Sequence, residues 1–406
     1  MGKWLKKTAG LKELLDSKKA SRIAEYMYMV ALVCYSLATF LNATMIKEHI
    51  NTGLLFNIVE ISGMLVILKI IFFDNWKPKE LLILVLLGII FWQACQTAYD
   101  FTLFYYFVLT LGAKNLDVKT LFKTSLVTIS VALIVTILAA QLGFIDNLTF
   151  GRRGTATVRY ALGVIYPTDL AARVFYLMLF YAVLKKFRLS ITDYISYLAI
   201  TVMVYTLTDT RLDALLMLLV IITGVLYKYI VKALIYINDK IIGSLIALFV
   251  FVNLLLAYFF VPTNPFFSLI NKMLSWRLVY GNLAFKNYNV PLLGQFIPQT
   301  GNGGIHTGPF NYFFIDSSFI RVLMMHGFVA FVCVISLLLF LSHRFLSKKA
   351  YALEIALFFV VLSSAIDQHM LEISYNILFV AALADISYWV EDRQSLSGNV
   401  EKSVNK

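Results

Sequence analysis

The chain has 406 residues, of which 60% are hydrophobic, 15% aromatic and only 14% charged, with a mean hydropathy of +0.80. That is far more apolar and less charged than soluble domains are, so the composition excludes a soluble fold and points to an all-α polytopic membrane protein. The net charge of +12 and pI near 9.4 do not imply nucleic acid, because that inference requires a basic face clustered on a soluble domain.

Residues 1 to 23 carry seven Lys or Arg with Trp4, Leu5, Leu11, Leu14 and Leu15 interspersed. They read as a cytoplasmic basic segment, either an amphipathic helix on the inner leaflet or an orientation tag. No small-residue cleavage site follows, so a signal peptide is not expected. From 24 to 390 the chain reads as one transmembrane domain. A hydrocarbon core about 30 Å thick needs roughly 20 apolar residues per helix. About twelve stretches fit, centred on 24–41, 53–73, 80–97, 101–112, 122–143, 165–184, 192–208, 212–229, 241–261, 319–341, 350–366 and 371–390. The third and fourth are separated only by Tyr99 and Asp100 and are expected to form one hairpin or two spans. Residues 391–406 read as a cytoplasmic tail.

With twelve spans and both ends inside, the cytoplasmic segments hold 24 of the 35 basic residues, as orientation by flanking charge requires. Lysine follows this bias strictly, and only Lys47, Lys69, Lys272 and Lys286 of the 24 lysines lie elsewhere. Arginine does not. Seven of eleven, Arg152, Arg153, Arg159, Arg173, Arg211, Arg277 and Arg321, fall on the expected outer side or in the outer ends of spans. A guanidinium grips phosphate or carboxylate through two parallel hydrogen bonds, so this asymmetry predicts an anionic substrate handled outside the cytoplasm. Cys34, Cys95 and Cys333 lie within spans without paired spacing, which supports neither disulfides nor a metal cluster.

An external loop from 262 to 318 separates the ninth and tenth spans and is too long for a plain connector. Its first part, Phe267 to Tyr288, has the spacing of an amphipathic helix. Its second part, with five glycines and three prolines between 291 and 309, is expected to be irregular and able to open over a site.

Three constellations carry possible chemistry. Residues Gly151 to Arg173 hold four arginines and one carboxylate, Asp169. Arg173 lies inside a span, which makes it either a functional cation or half of an Asp169–Arg173 helical pair. Arg152 and Arg153 fit the site's rim or lipid headgroups. In Thr206 to Leu215, Asp209, Arg211 and Asp213 crowd a short external turn, with Arg211 reaching a substrate cavity or clamped by Asp209. An arginine between the acids argues against a divalent metal. In Ile305 to Gly327, Asp316 or an adjacent serine caps the tenth helix, and Asp316 beside Arg321 is a candidate base. His306 is a second titratable candidate or a solvated loop residue.

These segments resemble the superfamily of O-antigen ligases and Wzy polysaccharide polymerases. The resemblance rests on the multi-span plan with a long loop before the last three spans. Its motifs are R-Y-A-L-G-V-I-Y-P-T-D-L-A (Arg159 to Ala171), T-D-T-R (Thr208 to Arg211), P-L-L-G-Q (Pro291 to Gln295) and I-D-S-S-F-I-R-V-L-M-M-H-G (Ile315 to Gly327). It implies an inverting glycosyltransferase at the outer face of the bacterial plasma membrane, which joins undecaprenyl-pyrophosphate-linked oligosaccharides and releases a lipid pyrophosphate. Arg159, Arg173, Arg211 and Arg321 are then expected around the pyrophosphate, with Arg277 on a covering helix. No metal or other cofactor is implied, and a flippase and a chain-length regulator are expected protein partners. Ligase relatives have a histidine where Asp316 stands. A ligase acting on another acceptor and a lipid-oligosaccharide flippase are the rival readings.

Overall fold

The structure is a computed structural model that describes residues 18–151, 156–305 and 311–391. Among these, nine helices are long and apolar enough to cross a membrane. They are α1 (Lys18–Asn42), α2 (Thr52–Phe73), α3 (Pro78–Ala98), α5 (Val118–Gln141), α6 (Pro167–Leu184), α7 (Ile191–Thr208), α8 (Arg211–Tyr236), α9 (Asp239–Tyr258) and α12 (Ser318–Ser347). Each coincides with an expected stretch. Local chemistry fixes their starts. Asn51, Asp117, Ser190 and Asn238 accept backbone N–H groups of the first turns of α2, α5, α7 and α9, and Pro78 and Pro167 occupy opening positions where no N–H is needed.

Three of the twelve expected stretches are not among these nine. The fourth and eleventh form the shorter helices α4 (Thr102–Gly112) and α13 (Tyr351–Ile366), of 11 and 16 residues. Residues 371–390 form no α-helix. The chain from 367 to 391 runs through three short 3₁₀ turns and is buried almost throughout. Irregular backbone is tolerated at membrane depth only where protein satisfies it. Here Tyr106 donates to Asn376 O, Arg344 donates to Ala381 O and Ala384 O, and Asn376 bridges Met370 O and Leu378 N. Hydropathy reported the burial of this segment correctly but could not report how its backbone would be paired.

The helix ends gather at two faces. At one, Lys114 donates to Asn75 O, Asn115 N to Leu383 O and Glu391 N to Lys349 O. This lysine end has short turns. At the other, the loop end, Met45 N donates to Gly163 O and Ile165 N to Ala43 O, joining the α1–α2 turn to the α5–α6 connection. That connection holds a small antiparallel hairpin, β1 (Thr149–Gly151) with β2 (Val158–Tyr160). Gly163 has φ +85° and is packed so closely by Ile145, Ala140 and Thr136 that a Cβ would clash.

The long loop contains two helices rather than one, α10 (Pro265–Met273) and α11 (Arg277–Asn287). Ser275 and Trp276, both at positive φ, break the expected continuous helix. The remainder, 288–305 and 311–317, has no helix, as expected from its glycines and prolines. It is pinned rather than loose, because it docks on a break in α12. Residues Val322–His326 form a π turn, and Gly327 at φ +93° interrupts the helical backbone. Gln295 N donates to Met325 O, Phe328 N to Pro291 O and Val329 N to Leu292 O. The loop thus satisfies groups that the break frees. Gly294 and Gly327 cross so closely that a Cβ on Gly327 would lie 2.6 Å from Gly294 N and 2.8 Å from Leu292 O.

Candidate functional site

A cavity of about 410 Å³ opens at the loop end, within the size range of small-ligand sites. Its walls come from α1 (Tyr35, Thr39, Asn42), the α3–α4 turn (Asp100, Thr102), the head of α6 (Tyr166, Asp169), the start of α12 (Ser318, Arg321, His326) and the irregular segment (Gln368, His369, Glu372, Tyr375). The glycine-rich loop closes on it. Tyr166 lies so near Gly301 and Gly303 that a side chain at either would collide with its ring.

The π turn explains how α12 places two polar residues on one wall. A π turn closes i→i+5 hydrogen bonds, so residues five apart stack, and Arg321 and His326 both face the cavity. Arg321 Nη1 donates to Gln299 Oε1 at 3.1 Å and Nη2 to Asp100 Oδ2 at 3.3 Å. Asp100 is itself oriented by Thr102, whose N and Oγ1 donate to its Oδ1 at 3.1 and 2.6 Å. His326 is 2% exposed and its Nδ1 has no hydrogen-bond partner.

Opposite stands a histidine between two carboxylates. His369 Nδ1 is 3.0 Å from Glu372 Oε1, and Nε2 is 3.6 Å from Asp169 Oδ1. Its ring stacks on Tyr375 with centroids 3.8 Å apart and planes 8° from parallel. Ser318 Oγ donates to Asp367 O and accepts from Met370 N, tying the head of α12 to this segment.

The arginines singled out by sequence do not converge on one point. Arg321 lines the cavity. Arg173 is wholly buried beneath it, sandwiched between Phe40 and Tyr375 at 4.5 and 3.8 Å, with Nη1 reaching Ser374 at 3.5 Å and Nε and Nη2 unpartnered. Asp169 turns to His369, so the alternative of an Asp169–Arg173 helical pair does not form. Arg277 donates to Ile366 O and, at 3.3 Å, to Asp367 Oδ1. Asp213, Asp316 and Asp367 all act electrostatically on it. Arg159 and Arg211 stand at the α7–α8 corner outside the cavity wall. Arg159 Nε donates to Thr208 O at 2.6 Å, and Arg211, with 62% of its side chain exposed, lies 3.9 Å from Asp209. Arg152, Arg153 and His306 lie outside the described residues.

Asp316, the expected base, is not on the cavity wall but sits just behind it, next to Tyr166, Tyr312 and Arg277. Burial pushes its carboxyl up to about 6, with Arg277 opposing the shift and Asp367 adding to it. The adjacent Ser317 and Ser318, also considered as caps, bond to Asn253 and Asp367.

Sequence reasoning missed Asp100, His326, His369 and Glu372. A usable signal existed for two of them. His369 and Glu372 are ionisable residues at the head of an apolar stretch, where such groups are costly unless they serve a site. His326 and Arg321 gave no such signal of proximity, since an ordinary helix would separate residues five apart.

No protein-family model, curated protein or solved structure matches the chain.

Proposed function

We propose that this protein is a membrane glycosyltransferase that joins lipid-pyrophosphate-linked oligosaccharide repeat units, a polysaccharide polymerase acting at the outer face of a bacterial plasma membrane. The observation that carries the reading is the cavity beneath the long loop, where a guanidinium, three carboxylates, two imidazoles and several tyrosines meet at the end of a bundle of membrane-length helices. Carboxylates and aromatic rings suit sugar hydroxyls and ring faces, and the guanidinium suits an anionic leaving group.

In this reading the acceptor hydroxyl attacks the anomeric carbon in line while the carbon–oxygen bond to the lipid pyrophosphate breaks. The electron pair leaves with the pyrophosphate. Arg321, held in place by Asp100 and Gln299, stabilises that developing charge from a fixed position. The acceptor's proton passes to a base, for which Asp316 is the proposed residue; since it sits just behind the wall, the acceptor must reach past the lining to it. Arg159 and Arg211 at the neighbouring corner guide the anionic headgroup to the rim. Arg173 and Arg277, which are sequestered, act as supports of the wall.

The test is purified protein in nanodiscs supplied with lipid-linked repeat units and no nucleotide sugar. A ladder of longer lipid-linked glycans is expected. Translocation of the substrate without a ladder would show a flippase, and transfer of finished glycan to another acceptor without a ladder would show a ligase.

A further inference from the structure

Three carboxylates reach the cavity wall, Asp100, Asp169 and Glu372, and the cations beside them are already engaged. Arg321 is bound to Asp100, and His369 lies between Asp169 and Glu372. Behind the wall, Arg277 is paired with Asp367 and also feels the fields of Asp213 and Asp316, while Arg173 is closed off by Phe40 and Tyr375. Among the described residues, the wall itself sets three carboxylates against Arg321 and His369. Glu372 has the most open side chain of the three wall carboxylates, at 29% exposure against 15% for Asp100 and 13% for Asp169.

We propose that the sugar ring seated in this cavity is uncharged or carries an amino group, and that the cavity turns away uronic acids and other anionic sugars. The proposal rests on the glycan reading above and adds the charge class of the sugar. Ring hydroxyls donate well to ionised carboxylates, and an ammonium does so with added attraction. A second carboxylate brought into a partly dehydrated cavity meets like charge at an effective dielectric far below that of water. Tyr35, Tyr166 and Phe314 supply aromatic surface for the apolar side of the ring without regard to its charge. The leaving pyrophosphate, itself anionic, belongs at the Arg321 edge and the rim rather than among the carboxylates.

The experiment measures binding of three probes, methyl glucoside, methyl glucosaminide and methyl glucuronide, to the full chain in nanodiscs. The glucuronide is expected to bind at least tenfold more weakly than the glucoside at low ionic strength. The gap should narrow in Glu372→Gln, and raising the salt on the unaltered protein should narrow it too, because screening acts on any accessible like-charge repulsion. Equal or tighter binding of the glucuronide overturns the proposal, as does a gap that neither salt nor Glu372→Gln changes, or no binding by any probe. The same preparation is assayed for glycan ladders. The expected binding order without a ladder would sink the polymerase reading and leave the charge filter standing, whereas a ladder with equal binding would sink the filter alone.

Discussion

Arg321 and Arg211 are both cations at the loop end, but they are held in different ways. Arg321 is gripped at two nitrogens by Gln299 and Asp100 on a cavity wall. Arg211 stands mostly in the open with a distant carboxylate at 3.9 Å. Arg173 is a third kind, fully enclosed by aromatic rings. All three share the same expected outward position in the sequence, so position alone does not separate them. What separates them is fixation. A cation that is both partnered and open to a cavity is preorganised for developing charge, whereas an exposed one must first be ordered.

The sharpest break of this comparison is Arg173→Met. Removing this buried cation loses its desolvated contacts with two aromatic rings, about 2 kcal/mol each, so stability should fall by up to about 4 kcal/mol, read as a fall in unfolding temperature. An unchanged unfolding temperature would mean that Arg173 is no structural support. Next comes Gly327→Ala. The positive φ alone costs about 1–3 kcal/mol for a side chain, and the Cβ must also displace the loop at Leu292 and Gly294. Protease susceptibility of residues 288–305 should rise with it, and a variant as resistant as the parent would refute the docking role.

Arg321→Lys keeps the charge and loses the two-pronged grip, so turnover should fall about tenfold to a hundredfold, near 1.4 kcal/mol per tenfold, with unfolding temperature little changed. Arg211→Lys should stay within about twofold in the same assay, as expected of an exposed ion pair. If the two variants lose activity equally, the distinction between wall and corner is wrong. Asp316 gives a smaller, pH-dependent effect. As a base it must be ionised, so the rate should rise with pH through about 6 and level off above it, and Asp316→Asn should abolish that limb. Stability should move the other way. A carboxyl raised from 3.8 to about 6 favours its protonated form in the fold, so its contribution is full below about pH 4 and is lost as pH rises through 6.

Most of the fold was legible because apolar length and caps are local properties. Asn51, Asp117 and Ser190 mark helix starts within a few residues of where the hydropathy begins. Residues 371–390 were misread as a helix because their burial is against protein, where Arg344, Tyr106 and Asn376 take over the pairing that lipid would have forced into a helix. At the site, Arg321 was legible as an intramembrane cation beside a loop. The cavity's other wall was not, since Asp169 is distant in sequence from His369 and Glu372 and only tertiary packing joins them. The π turn left no trace except a glycine following His326.

The irregular segment from 367 to 391 also constrains how the chain is assembled. Lipid cannot accept its backbone alone, so it has no stable existence as an inserted unit. It is synthesised after every helix it packs on, and the groups that pair with it, on α4, α12 and the α4–α5 turn, are already in place when it emerges. The carboxylate-lined cavity is therefore completed last, and the membrane-length helices can insert before that wall exists.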